Sequence, residues 1–154
     1  MNEESTASTA APIADYADLK APIEVLSKSI AALHAHAKEL DDSESVNDLE
    51  VIQTAAKTID RSIFGQLPDA MRSAESDPAT LRRVRHEIRN GLNQIIGLTE
   101  LIAESELLGG NHDAATAIAL LRRSANRLLR LVQVRLADPG PRTAALEICC
   151  VWCL

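Results

Sequence analysis

Arg85-His86-Glu87-Ile88-Arg89-Asn90-Gly91-Leu92-Asn93-Gln94-Ile95-Ile96-Gly97 is the stretch on which the reading of this chain turns. Advancing about 100° per residue from His86, the residues Leu81, Val84, Ile88, Leu92, Ile95, Thr99 and Ile102 fall between roughly 160° and 240°. One narrow apolar stripe of this kind specifies an amphipathic helix with a single buried face. His86 lies on the opposite, solvent side. Arg82, Arg83, Arg89, Asn90 and Asn93 flank it there, with Gly97 above.

Working outward, Asp77-Pro78 supplies a cap followed by proline at the first helical position. The helix is expected to run to about Leu108 and to stop at Gly109-Gly110. A partner helix starts near Asn111 to Asp113 and keeps its period through Ile118, Leu121, Ala125, Leu128 and Val132 until Asp138-Pro139-Gly140-Pro141. Upstream, Leu19, Ile23, Leu26, Ile30, Leu33, Ala37 and Leu40 define another helix from Asp15, ended by Asp41-Asp42-Ser43 and expected to kink at Pro22. Leu49, Ile52, Ala56, Ile59 and Ile63 define a fourth, with Ser45 as expected N-cap and Gly65 as expected C-cap.

Strand-like alternation is absent, so the fold is all-α. A shift of 69 residues lays the apolar stripe of each early helix on that of its later counterpart, with almost no identity beyond Ala56/Ala125 and Arg61/Arg130. Any two amphipathic hairpins can be aligned in this way, so periodicity alone leaves a true repeat open. One hairpin cannot bury its own stripe; two antiparallel hairpins form a four-helix bundle. The expected organisation is a flexible leader at 1–14, a helical hairpin at 15–67, a linker at 68–77, a second hairpin at 78–137 and an atypical tail at 138–154.

The chain has 154 residues, 46% of them apolar and only 2% aromatic, with a net charge of −6. Few aromatics and an acidic balance argue against nucleic-acid binding. No apolar run reaches membrane-spanning length and the N-terminus lacks a basic signal start, so a cytoplasmic protein without membrane attachment is expected. The charge is unevenly placed. Residues 1–79 hold six basic and fifteen acidic residues, a net −9, while residues 80–137 hold nine arginines and five acids, a net +4. Halves of opposite sign are suited to docking on each other.

A histidine among arginines, away from the core, is a poor packing residue. A neutral imidazole nitrogen can attack phosphorus in line when its other nitrogen is held by an acceptor. Glu87 is an adjacent carboxylate able to take or hold that proton. Arginines offset the charge of an arriving phosphoryl group. An ordinary exposed histidine on a charged helix is the commoner case, and residue chemistry alone leaves both readings open.

The segment His86-Glu87-Ile88-Arg89-Asn90-Gly91-Leu92-Asn93, with Ile95-Ile96-Gly97 and Glu100-Leu101 following, resembles the H-box of the dimerisation and phosphoacceptor domain of sensor histidine kinases. The resemblance covers about residues 78–137. It implies a helical hairpin in which His86 is the phosphoacceptor and Glu87 the general base. It also implies that Asn90 orients water against a phosphorylated receiver aspartate. Arg82, Arg83, Arg89 and Asn93 would then meet the phosphate or the partner. Gly91 departs from the family's usual proline. The first hairpin resembles the same box without its chemistry, with Ala17 in the place of His86 and Pro22 in that of Gly91.

The function so implied is a histidine phosphoacceptor and dimerisation module of a two-component phosphorelay, exchanging phosphoryl groups with a receiver aspartate. The alternatives are a non-catalytic helical scaffold and a phosphatase module toward a phosphorylated receiver. Expected partners are a receiver domain and a kinase's ATP-binding domain, in trans or in a longer parent chain. A homodimer or an intrachain pseudodimer would complete the bundle. No cofactor or metal is expected in the chain; ATP and magnesium would belong to the separate catalytic domain, since neither Asp-x-Gly-x-Gly nor a P-loop occurs and 17 residues after Ala137 are too few for a nucleotide fold. Enzymatic activity of the chain by itself is therefore left open.

Weaker signals remain. Cys150-x-x-Cys153 has redox or metal spacing but no second ligand pair, and the tail's break in composition reads best as a truncated or shifted frame. His34, His36 and His112 are expected to be exposed surface residues. Arg122, Arg123, Arg127, Arg130 and Arg135 would either face an acidic receiver or dock on the acidic half.

Overall fold

A computed structural model describes residues 17–75, 77–105 and 109–136. The expected leader at 1–14 and the tail at 138–154 lie outside the described residues. Among the described residues five helices run in the order α1 (Ala17–Glu39), α2 (Ser43–Arg61), α3 (Leu67–Arg72), α4 (Pro78–Glu104) and α5 (His112–Arg135), with a π-helical turn at Ser62–Gln66 joining α2 to α3. Among the described residues there is no strand. The long helices form a closed ring: α1 packs on α2 and α5, and α4 packs on α2 and α5. The bundle is therefore all-α and made of two hairpins, as the periodicity requires.

Its core is aliphatic, and the 69-residue correspondence holds in the burial. Leu19, Ile23, Leu26 and Leu33 of α1 are buried, and so are Ile88, Leu92, Ile95 and Ile102 of α4. Leu49, Ile52, Ile59, Ile63 and Leu67 are matched by Ile118, Leu121, Leu128, Val132 and Leu136, again all buried. The caps obey the same shift. Asp42 accepts from the Ser45 N–H at 3.1 Å, and Asn111 accepts from the Ala114 N–H at 3.1 Å.

Several local expectations are corrected. The N-cap of α2 is Asp42, not Ser45, which is buried one turn further on. The preceding chain leaves α1 through Asp41 at φ 56°. There the Asp42 N–H donates to the Ala37 carbonyl and the Asp41 N–H to that of Lys38, satisfying two terminal acceptors. Gly65 does not end α2. The helix widens by one residue, with the Leu67 N–H donating to the Ser62 carbonyl. Pro68 has no N–H and its ring would press on the carbonyl four residues back, so a wider turn just before it relieves both problems. The expected linker is consequently helical as far as Arg72, and Leu67 and Ala70 join the core.

At the other end α4 stops at Glu104 rather than Leu108. Ser105 turns extended and its hydroxyl donates to the Ile102 carbonyl at 2.7 Å. Pro22 is buried within α1, which continues through it. The ion pairs His34–Glu50, His36–Glu39 and Arg72–Asp69 each lie outside the second hairpin, and the surface between the hairpins is closed mainly by aliphatic side chains.

Candidate phosphoacceptor site

The site is set by the start of α4. The Asp77 carboxylate accepts from the Thr80 N–H at 3.2 Å and from its hydroxyl. These hydrogen bonds hold the carboxyl below its usual range, with a smaller contribution from Arg83. Pro78 follows in the first turn. Burial of Leu81, Val84, Ile88 and Leu92 then fixes the rotation of the helix, which leaves His86 exposed on the outer face.

Asn90 reaches back one turn to the imidazole. Its Nδ2 lies 3.1 Å from His86 Nδ1 and 3.4 Å from Nε2. The spacing of four residues makes this meeting possible. Glu87 stands elsewhere. It is half-buried and borders an open groove between α4 and α2, with Gly91 and Gln94 on its own helix and Glu50, Thr54 and Thr58 across. Adjacent helical residues diverge by about 100°, so the Glu87 carboxylate forms no hydrogen bond with His86 here. Arg82, Arg83, Arg89 and Asn93 are all exposed around the histidine. The structure thus joins Asn90 to His86 and arranges the cations loosely around the pair.

Arg85 was not singled out from the sequence. It is 9% exposed, and its Nη1 donates to the Leu136 carbonyl at 2.6 Å, tying the end of α5 to α4 beside His86. The signal was its place at about 260° on the helical wheel, at the edge of the apolar sector, where a long cation can reach a helix C-terminus. Gly91 has a packing reason. A Cβ there would lie 3.0 Å from Ile59 Cγ1 and 3.1 Å from its Cδ1, so the glycine permits close approach of α2 to α4.

The other histidines divide. His112 is exposed at the start of α5, as expected. His34 and His36 are partly buried rather than exposed. They are 22% and 17% exposed, and each has an Nε2 atom buried without a hydrogen-bond partner. They flank the inward-facing Leu33 and Ala37, which draws part of each ring into the helix interfaces. Arg122, Arg123, Arg127 and Arg130 are exposed on α5 and form no ion pair with the first hairpin. Among the described residues, no three His, Cys, Asp or Glu side chains are grouped to hold a metal ion. None of the described helices is long and apolar enough to cross a membrane.

No curated protein and no solved structure matches the chain. Residues 79–134 match the family described as the His Kinase A (phospho-acceptor) domain. That segment is the second hairpin, with His86 on the outer face of its first helix, and the second hairpin is thereby similar to a phosphoacceptor domain of the histidine-kinase type.

Proposed function

We propose that the second hairpin accepts a phosphoryl group on His86 and exchanges it with the aspartate of a receiver domain. The observation that carries this reading is the exposed imidazole in contact with Asn90, within a segment matching the phosphoacceptor family. An amide turned by 180° presents its oxygen where its nitrogen was. With oxygen toward Nδ1, Asn90 accepts the Nδ1–H bond and leaves a lone pair on Nε2. With nitrogen toward Nδ1 it donates instead, and the proton sits on Nε2. Only the first arrangement leaves Nε2 nucleophilic.

In the transfer, Nε2 forms a bond to phosphorus as the bond from phosphorus to the donor oxygen breaks, and the donor carboxylate or nucleoside diphosphate leaves with that electron pair. The proton stays on Nδ1, its hydrogen bond accepted by the Asn90 oxygen, or passes to a base, for which Glu87 is the nearest carboxylate in sequence. Arg82, Arg83 and Arg89 offset the phosphoryl charge from the same face. The kinase's ATP-binding domain, with its ATP and magnesium, acts from elsewhere. Acid-labile label on the wild-type chain and none on His86→Gln, with a phosphorylated receiver or an ATP-competent histidine-kinase catalytic domain as donor, is the expected result. Equal labelling of both chains would reject it.

A further inference from the structure

We propose that the first hairpin is a built-in, inert counterpart of the phosphoacceptor hairpin, so that one chain closes its own bundle and carries a single phosphoryl-accepting face. The argument starts with the ring of contacts. Under the 69-residue shift α1 takes the place of α4 and α2 that of α5. The packing of α1 on α5 then becomes that of α4 on α2, and both contacts are present. The order of packed helices around the ring is therefore unchanged when the two hairpins are exchanged. Burial follows the same shift from Leu19/Ile88 to Leu67/Leu136, and the N-caps Asp42 and Asn111 follow it too.

The chemistry does not follow. Ala17 stands where His86 should be and Ala21 where Asn90 should be. A methyl group offers neither a nucleophile nor an amide to hold one, so the related face cannot accept a phosphoryl group. What the first hairpin keeps is the inner surface, which is the part a counterpart needs.

The two inter-hairpin contacts are also not interchangeable. On one side Gly91 lets Ile59 approach α4; at the related position of α1 the buried residue is Pro22. Two second hairpins would bring together surfaces that each carry a net +4, whereas the first hairpin opposes that charge with an acidic surface. No ion pair is needed for this; the fields of the whole surfaces set the preference for unlike over like.

The inference rests on the phosphoacceptor reading for its chemical consequence only, and the experiment separates the two. The full chain is examined by sedimentation over a hundredfold range of concentration, followed by thermal unfolding over the same range. The expected result is a species of 16.6 kDa with an unchanged unfolding temperature. A bundle shared between chains gives twice that mass and an unfolding temperature that rises by about 3–6 °C per tenfold concentration, which overturns the proposal. Phosphoryl content is then counted on the same species. One acid-labile phosphoryl group per monomer supports the single accepting face, and two sharing one particle contradict it. A monomer that takes no label leaves the self-closed bundle standing and rejects the phosphoacceptor reading instead.

Discussion

Replacing Gly91 with alanine tests how α2 and α4 are held together beside the candidate site. The change has two opposed consequences. Alanine in a helix interior is favoured over glycine by about 1 kcal/mol. Its Cβ, however, would sit 3.0 and 3.1 Å from two carbons of Ile59, inside the ordinary carbon contact distance of about 3.5–4.0 Å. Ile59 is 2% exposed, so it has little room to retreat, and overpacking of this kind costs about 1–3 kcal/mol. Gly91→Ala is therefore expected to be neutral to destabilising by about 2 kcal/mol in the wild-type background. In an Ile59→Ala background the obstructing carbons are gone, and the same substitution should stabilise by about 1 kcal/mol. The assay is urea unfolding of all four chains followed by far-UV circular dichroism, read as a double-mutant cycle. Stabilisation by the same amount in both backgrounds would refute the close-approach argument.

Three further outcomes follow from the same packing. Ser62 is fully buried and its hydroxyl has no hydrogen-bond partner, so Ser62→Ala is expected to raise stability by about 1–3 kcal/mol, and a loss in urea unfolding would contradict that. Arg85→Met keeps the packing but removes the donor to the Leu136 carbonyl; a cost of about 1–3 kcal/mol is expected, with faster amide exchange at the end of α5, and unchanged exchange there would count against the tie. The Asp42 carboxyl is held below its usual range by the side chain and N–H of Ser45. Its contribution is present above the unfolded carboxyl pKa and is lost as the pH falls through the lower folded value. Asp42→Asn should therefore flatten the acid limb of the stability profile, and an unaltered limb would remove Asp42 from that account.

Much of this molecule is legible in its sequence because each long helix buries one narrow stripe. The apolar residues of α4 mark the inner face and thereby place His86 outside, and the spacing between His86 and Asn90 places them one turn apart. What escapes depends on which of several local solutions the chain adopts. Asp41-Asp42-Ser43-Glu44-Ser45 offers several capping residues, and only the left-handed conformation at Asp41 selects Asp42. The π-helical turn has no periodic signature of its own, and Pro68 reads as a breaker until its position in the first turn of α3 is known. Gly109-Gly110 marks the turn between α4 and α5, yet the Ser105 hydroxyl ends α4 sooner. The charge asymmetry reads as an internal docking signal, whereas the hairpins meet through Leu, Ile and Ala. Arg85 is hidden among the four arginines of the same stretch, because its Nη1 donates to a backbone carbonyl that no side-chain pattern announces.

On the proposed phosphoacceptor reading, the contact with Asn90 is what sets His86 apart from the other exposed positions on this helix. The amide stands within reach of both ring nitrogens and can set which of them is bare. Because Ile88 and Leu92 anchor the helix from behind, substitution of the outward histidine should leave the fold intact. The most direct measurement is acid-labile phosphate transfer to the full chain and to His86→Gln, with matching far-UV spectra required of both. The account predicts label on the wild-type chain alone. Label retained on His86→Gln, or absent from a folded wild-type chain with both a phosphorylated receiver and a histidine-kinase catalytic domain as donors, would contradict it.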